Sequence, residues 1–197
     1  CRRAILLDGG KVQFEGEVDA AINQYIQAQE PKTSIDISGN MRHRGTGEAS
    51  VLNMRLMDDA SNPRAYFKMG EAFNIVVRVR FAHPIENPLL GFNILTDTGI
   101  MVADCRSSHS NLKSGLVSGE LEYRMRIETL LLYPRIYFIE PWIADQNCTE
   151  EFDWVSHPIT FKVLADSGFA TAPGVDASHG ISFIPTSCSI NHIKEDR

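Results

Sequence analysis

The chain has no apolar run long enough to cross a bilayer as a helix. It also lacks an excess of positive charge. Lys and Arg total 19 against 25 Asp and Glu, a net charge of −6, which argues against general nucleic-acid binding through a basic surface. Cysteine is scarce: Cys1, Cys105, Cys148 and Cys188 show no CxxC spacing. Free thiols in a reducing compartment are the simplest account, with one or two disulfides left open. The six histidines are scattered and form no HxxxH or HExxH pair, so no metal site is expected. There is no GxxxxGK[ST] phosphate loop and no GxSxG elbow. No catalytic residue and no cofactor is therefore assigned. The N-terminal run Ala4 to Leu7 is too short for a signal peptide, and Asp8 ends it.

What is present is period-two alternation. Phe73, Ile75, Val77, Val79 and Phe81 alternate with Asn74, Val76, Arg78 and Arg80, the pattern of a half-buried antiparallel strand. Ala49 to Met57, Tyr66-Phe67, Leu90 to Thr96, Ile100 to Ala103, Leu121 to Ile127 and Ile159 to Val163 read as further strands. The stretch Leu130 to Asp145, LLLYPRIYFIEPWIAD, is a turn feeding a buried strand. Tyr137 follows Pro134 where a tyrosine corner would sit, ring in the core and hydroxyl bonded back to the backbone. Residues 83–88, 106–119 and 145–157 read as loops. The expected fold is all-β, an immunoglobulin-like antiparallel β-sandwich of roughly seven strands, preceded by a short β-hairpin and one α-helix.

The hairpin is Ala4 to Leu7 and Lys11 to Phe14 around Asp8-Gly9-Gly10; the helix is Glu17 to Ala28, apolar at Val18, Ala21, Ile22, Tyr25 and Ile26 and stopped by Pro31. Such a unit cannot bury a core alone. The run R-x-I-x-L-x-x-G-K-V-x-x-x-G-x-x-x-x-x-I-x-x-Y, from Arg3 to Tyr25, resembles the closing hairpin and helix of an ABC-transporter nucleotide-binding domain. The organisation expected is a nucleotide-binding-domain remnant at 1–30, a linker at 31–47, the sandwich at 48–165, and a C-terminal extension at 166–197 with an added strand at 180–185. Arg42, His43 and Arg44 are read as part of a solvated linker, in preference to a contact with the nucleotide-binding domain.

The sandwich resembles the C-terminal domain of Wzt-type proteins, the ATP-binding subunits of ABC exporters for O-antigen polysaccharide. The resemblance rests on G-T-G-E-A at Gly45 to Ala49, the turn before Gly70-Glu71, the D-x-G turn at Asp97 to Gly99, and the L-x-P-x-x-Y block ending at Tyr137. It implies recognition rather than chemistry. The domain would bind the modified non-reducing terminus of the O-antigen polysaccharide and couple it to export. Its partners would be its own nucleotide-binding domain and the transmembrane exporter subunit, in the cytoplasm at the inner membrane. The resemblance also implies a homodimer that exchanges a C-terminal strand, which suits Gly180 to Pro185. The alternative is a structural module that dimerises or positions the transporter without touching sugar. One departure stands out: the family's turn commonly carries Gly where this chain has Arg135, implying a different turn or an arginine lifted toward a partner.

Parity supplies candidate ligand residues. If Tyr137 and Ile139 face the core, Phe138, Glu140 and Trp142 face out, with Asn93, Thr160 and Lys162 on neighbouring strands. Trp142, Glu140, Asn93 and Lys162 form the first candidate glycan patch, although a core or interface role for Trp142 is at least as common for such an aromatic. Arg78, Arg80, Arg124 and Arg126 form the second, suited to phosphate or carboxylate, against the reading of a solvated face paired with Glu122. Trp154 is a rim candidate. Glu150, Glu151 and Asp153 could suggest a glycosidase, but a solvated acidic loop is preferred.

Overall fold

The computed structural model describes residues 3–8, 11–18, 20–21, 31–37, 41, 43–156, 158–165, 178 and 180–185. Strands β1 (Ala4–Asp8) and β2 (Lys11–Gly16) pair antiparallel as the expected hairpin. Val18, Ala20 and Ala21 are helical, and the Ala21 N–H donates to the Glu17 carbonyl at 3.0 Å. The rest of the helix expected to Ala28 lies outside the described residues.

The sandwich has two sheets. The first is four-stranded, in the order β10 (Leu116–Ile127), β7 (Phe73–Glu86), β5 (Ala49–Met57), β3 (Ser34–Asp36). The second is built on β11 (Ile136–Ala144). One edge of β11 pairs along its length with β8 (Leu89–Thr96), which pairs in turn with β9 (Met101–Arg106). The other edge pairs first with β13 (Ile159–Leu164) and then with β12 (Glu151–Val155). β6 (Tyr66–Lys68) extends β13 in parallel, and β4 (His43–Arg44) extends β12. All other pairs are antiparallel, so an antiparallel sandwich is what the alternation produced.

The core follows the parity of the strands. Phe73, Ile75, Val77, Val79 and Phe81 of β7 face Tyr137, Ile139, Ile159 and Phe161 across the sandwich, all in one buried cluster. Phe67, Phe73, Phe161 and Tyr137 stack through it, with ring centroids 4.2 Å apart for Phe67–Phe73, 5.4 Å for Phe73–Phe161 and 5.5 Å for Tyr137–Phe161. Phe73 comes from one sheet and the other three rings from its partner, so these contacts join the two sheets.

Several expected loops are strands. β7 continues through His83-Pro84 to Glu86. Beyond Ala82 only β10 flanks it, and a strand with one open edge tolerates a proline that cannot donate. Residues 106–119 hold a 3-10 turn at Ser107–Ser110 and the start of β10 at Leu116. Residues 145–157 hold β12, and the stretch read as linker holds β3 and β4. These pieces are short or charged, and their backbone hydrogen bonds come from a neighbouring strand rather than from an apolar pattern of their own.

The tyrosine corner is present. The Tyr137 hydroxyl lies 2.8 Å from the Tyr133 carbonyl and 3.1 Å from that of Ile181, which share its one O–H. Arg135 is not in the left-handed region, so this turn has no need of glycine there. The Ile181 contact belongs to a short bridge in which residues 181–183 pair with 131–133 of the same chain: the Tyr133 N–H donates to the Ile181 carbonyl and the Phe183 N–H to that of Leu131. Burial pushes the Tyr137 phenol up to about 12. A raised folded-state value means stability is fully present below the unfolded phenol's ordinary value and is lost as pH climbs toward 12. Tyr137→Phe should cost about 1–2 kcal/mol by denaturant titration and remove this alkaline component. An unchanged midpoint would show the corner to be ornamental.

Candidate functional site

The outer face of the larger sheet is built from matched outward positions. On β11 these are Phe138, Glu140 and Trp142; Glu140 stands opposite Asn93 on β8, and Asn93 stands opposite Asp104 on β9. Trp142 stands opposite Gly91 on one side and Trp154 of β12 on the other. Gly91 in turn stands opposite Arg106, and Trp154 opposite Arg44. Two tryptophans, two arginines and several carboxylates therefore converge.

The local chemistry holds them in place. The Trp154 indole N–H donates to Glu140 Oε2 at 3.2 Å. The Arg44 guanidinium lies 4.3 Å over the Trp154 ring and forms two hydrogen bonds to Glu151, at 2.8 and 3.1 Å. The Arg106 guanidinium lies 5.4 Å from the Trp142 ring and donates to Asp104 Oδ2 at 2.7 Å. Asp104 Oδ1 is closed off from solvent and has no hydrogen-bond partner among the described residues. The turn from β11 to β12 is closed by Asp145, which accepts from the backbone N–H groups of Thr149 at 2.6 Å and Glu150 at 2.8 Å. Those donors, the Glu150 N–H first, hold its carboxyl below the usual range.

A pocket of about 330 Å³ opens here, lined by Asn93, Asp104, Arg106, Trp142, Glu151 and Trp154 among others. That is within the ~300–1,000 Å³ range of small-molecule sites. Its floor is closed rather than open. Trp142 is only 7% exposed, Glu140 5% and Asn93 3%, so the outward residues are buried by their neighbours. Parity said which way these side chains point; it could not say that Arg106 and the second tryptophan would cover them. Lys162 is exposed but stands opposite Ile136, roughly 13 Å along β11 from Glu140, and does not join the cluster.

The four arginines sit on the outer face of the smaller sheet, as parity required, but they do not form a free cationic cluster. Arg78 and Arg80 share Glu120, Arg126 pairs with Asp59 and Glu128, and Arg124 donates to Ser61 at 3.2 Å. Glu122, the expected partner, is taken by Arg55. A shallow depression of about 870 Å³ over Arg55, Arg78 and Arg80 also contains Asp36, Glu120 and Glu122, so its charges balance. Arg124 and Arg126 border a separate, mainly apolar cavity of about 750 Å³ between β10 and the 3-10 turn.

Of the acidic run 149–153, Thr149 and Glu150 lie in an exposed bend as a solvated loop would, but from Glu151 on the residues form β12. Asp153 is buried and joins the two sheets: Oδ2 accepts the Val51 N–H of β5 at 2.7 Å, and Oδ1 lies 2.8 Å from His43 Nδ1. Glu151 faces the opposite side of β12, toward Arg44, so the two carboxylates do not flank one cavity. Asp153→Ala strands the Val51 N–H and should cost about 1.5–3 kcal/mol. A thermal midpoint within a degree or so of the parent would show that the tie carries no stability. His43 and Arg44 are thus paired with β12, although both stay exposed as a solvated stretch would be. Gly45 completes the approach at φ +125, where an added Cβ would meet the Phe152 carbonyl at 2.5 Å.

Sequence reasoning missed Asp104 and Arg106 because it ended the strand at Ala103. The alternation in fact continues, with Ala103 and Cys105 partly buried and Asp104 and Arg106 turned to the other face. It missed the position of Trp154 because the flanking carboxylates masked β12. Cys105 is half-buried beside Asp104, and burial pushes its thiol up to about 11, so it is no nucleophile at neutral pH. Among the described residues no group of three or more His, Cys, Asp or Glu is placed to hold a metal.

Residues 40–177 match the family model of the Wzt C-terminal domain. The chain belongs to the Wzt C-terminal domain family. A crystal structure of the C-terminal domain of Wzt superposes with a TM-score of 0.64 at 13% identity, covering 77% of this chain and 89% of that one. It shares the fold. A Niemann-Pick type C2 protein from Japanese carpenter ant gives a TM-score of 0.44 at 12% identity, covering 65% of this chain and 100% of that one. No curated protein matches the chain. As a Wzt C-terminal domain the chain has a carbohydrate-binding or positioning role in a Wzt-type ABC transporter, and the domain is non-catalytic. None of its described helices is long and apolar enough to cross a membrane.

Proposed function

We propose that this Wzt C-terminal domain recognises the modified non-reducing terminus of an O-antigen polysaccharide in the pocket between Trp142 and Trp154. The observation that carries this reading is the convergence of two indoles with Asn93, Asp104, Arg106 and Glu151 around one opening of about 330 Å³. Apolar sugar faces pack on aromatic rings, and planar polar side chains take hydroxyls in fixed directions. Asn93, Glu140 and Trp142 are the binding residues assigned from the sequence, with Lys162 further along as a contact for later sugars. Arg78, Arg80, Arg124 and Arg126 face away from this pocket and are assigned no sugar. In this reading residues 1–30 are the end of the nucleotide-binding domain, 31–47 the connection, 48–165 the binding domain and 166–197 an extension. The domain works as a homodimer on the cytoplasmic side of the inner membrane, attached through its nucleotide-binding domain to the transmembrane exporter subunit.

Titration with intact and end-trimmed polysaccharide tests the proposal. Intact chains should bind at least tenfold more tightly, since losing a hydrogen-bonded terminal group leaves buried polar atoms unpaired. Equal binding would sink terminal recognition. The alternative, a positioning module that touches no sugar, is favoured by one observation: Trp142 is only 7% exposed and lies beside Arg106, so little of its ring is open. Under that alternative Trp142→Ala changes stability and assembly but no glycan affinity.

A further inference from the structure

The pocket's own charges say what kind of sugar terminus it takes. Around the two tryptophans stand the carboxylates of Asp104, Glu140 and Glu151 and the guanidinium groups of Arg44 and Arg106. Both cations are already engaged. Arg106 donates to Asp104 at 2.7 Å, and Arg44 holds Glu151 through two hydrogen bonds. Three carboxylates stand here against two guanidinium groups, in a recess where Glu140 is 5% exposed and water screens poorly. A terminal phosphate or carboxylate entering here would meet like charge and would have to take an arginine from its present partner.

A neutral sugar meets the opposite situation. Sugar hydroxyls are donors, and Asp104 lines the pocket opposite Asn93 with one oxygen, Oδ1, that is covered and has no partner among the described residues, so a small turn of the carboxylate toward a hydroxyl gives that oxygen the partner it lacks. An ionised carboxylate accepting a hydroxyl forms a strong, directional hydrogen bond. The Asn93 side chain carries an acceptor and two donors. We propose that Asp104 is the specificity-determining residue of this site, and that it selects an electrically neutral sugar terminus with a free hydroxyl against one capped with phosphate or carboxylate. The proposal rests on the glycan-pocket reading above and narrows its ligand class.

Three defined probes decide it, measured by calorimetry on the whole chain: a neutral hexose trisaccharide, the same trisaccharide with a terminal methyl phosphate, and the same with a terminal uronic acid. The neutral probe should bind at least about tenfold more tightly than either anionic one at low salt, with the gap shrinking as salt rises. Asp104→Asn keeps the side chain's size, removes the charge and releases Arg106. It should weaken the neutral probe roughly tenfold and strengthen the phosphate probe, closing the gap. Gly91→Ala, which displaces Trp142 from outside the charge set, should weaken whichever probes bind. If an anionic probe binds as tightly as the neutral one, or if Asp104→Asn leaves the ratio unchanged, charge selection is overturned while sensitivity to Gly91→Ala keeps the pocket reading intact. If no probe binds, or Gly91→Ala changes nothing, the pocket reading falls and this proposal with it. Near-ultraviolet circular dichroism checks that each variant is folded.

Discussion

Phe161→Ala should lower the free energy of unfolding by about 3–5 kcal/mol. Phe161 is fully buried on β13, and its ring touches three others: Tyr137 at 5.5 Å, Phe73 at 5.4 Å and Phe67 at 6.3 Å between centroids. Removing it takes away apolar area, ring–ring contact worth about 0.5–1.5 kcal/mol per pair, and the filling of a space that neighbouring strands hold open. The gap opens where Phe73 of the smaller sheet meets the larger one, so relaxation would require the sheets to approach. Such a loss is a large fraction of the ~5–15 kcal/mol stability of an ordinary domain. The measurement is the denaturant midpoint with the slope held fixed. A loss below about 1 kcal/mol would mean that the rings repack around the hole. Phe67→Ala combined with Phe161→Ala should be less than additive, because the two share one cavity.

Gly91→Ala should remove most glycan binding while leaving the sandwich folded. A Cβ at Gly91 would stand 2.1 Å from Trp142 Cζ2 and 2.2 Å from Cε2, distances at which the ring has to move. Trp142 cannot move inward, because the sheet lies beneath it. It must swing toward Arg106 and Trp154, into the opening itself. Affinity for intact polysaccharide should fall tenfold or more, since a displacement of about 1 Å at a binding group suffices for losses of that size. The tryptophan emission spectrum should shift at the same time, and with only two tryptophans the assignment needs only one further variant, at Trp154. Unchanged affinity beside a shifted spectrum would separate Trp142 from the binding event and favour the positioning role.

How much of this was legible beforehand depended on whether a residue's role came from its own strand or from its neighbours. Tyr137 could be placed in a corner because the turn, the ring and the hydroxyl's nearer partner, the Tyr133 carbonyl, all lie within one short stretch; its second partner, the Ile181 carbonyl, is far along the chain and was not legible. Phe73 to Phe81 declared a two-faced strand by alternation alone. Asn93, Glu140 and Trp142 were correctly placed on one face, since parity within a strand is fixed and β8 and β11 are adjacent. Lys162 was grouped with them by the same parity, but parity gives a face and not a register, and the register puts Lys162 opposite Ile136. Arg78, Arg80, Arg124 and Arg126 pointed outward as expected; their partners Glu120 and Asp59 are far in sequence and could not be read from spacing.

The sequence by itself determined the sandwich, its inward rows, the tyrosine corner and the face on which the tryptophan stands. Backbone periodicity and the burial of apolar groups set all of these, and both are local. Only the tertiary structure decided that His43 and Arg44 dock on β12, that Asp153 joins the sheets, and that Asp104, Arg106 and Trp154 complete the pocket. Those outcomes depend on which strand edges find each other. An edge strand as short as β4 has backbone hydrogen bonds to offer but no pattern of its own, so its place is chosen by the partner it meets.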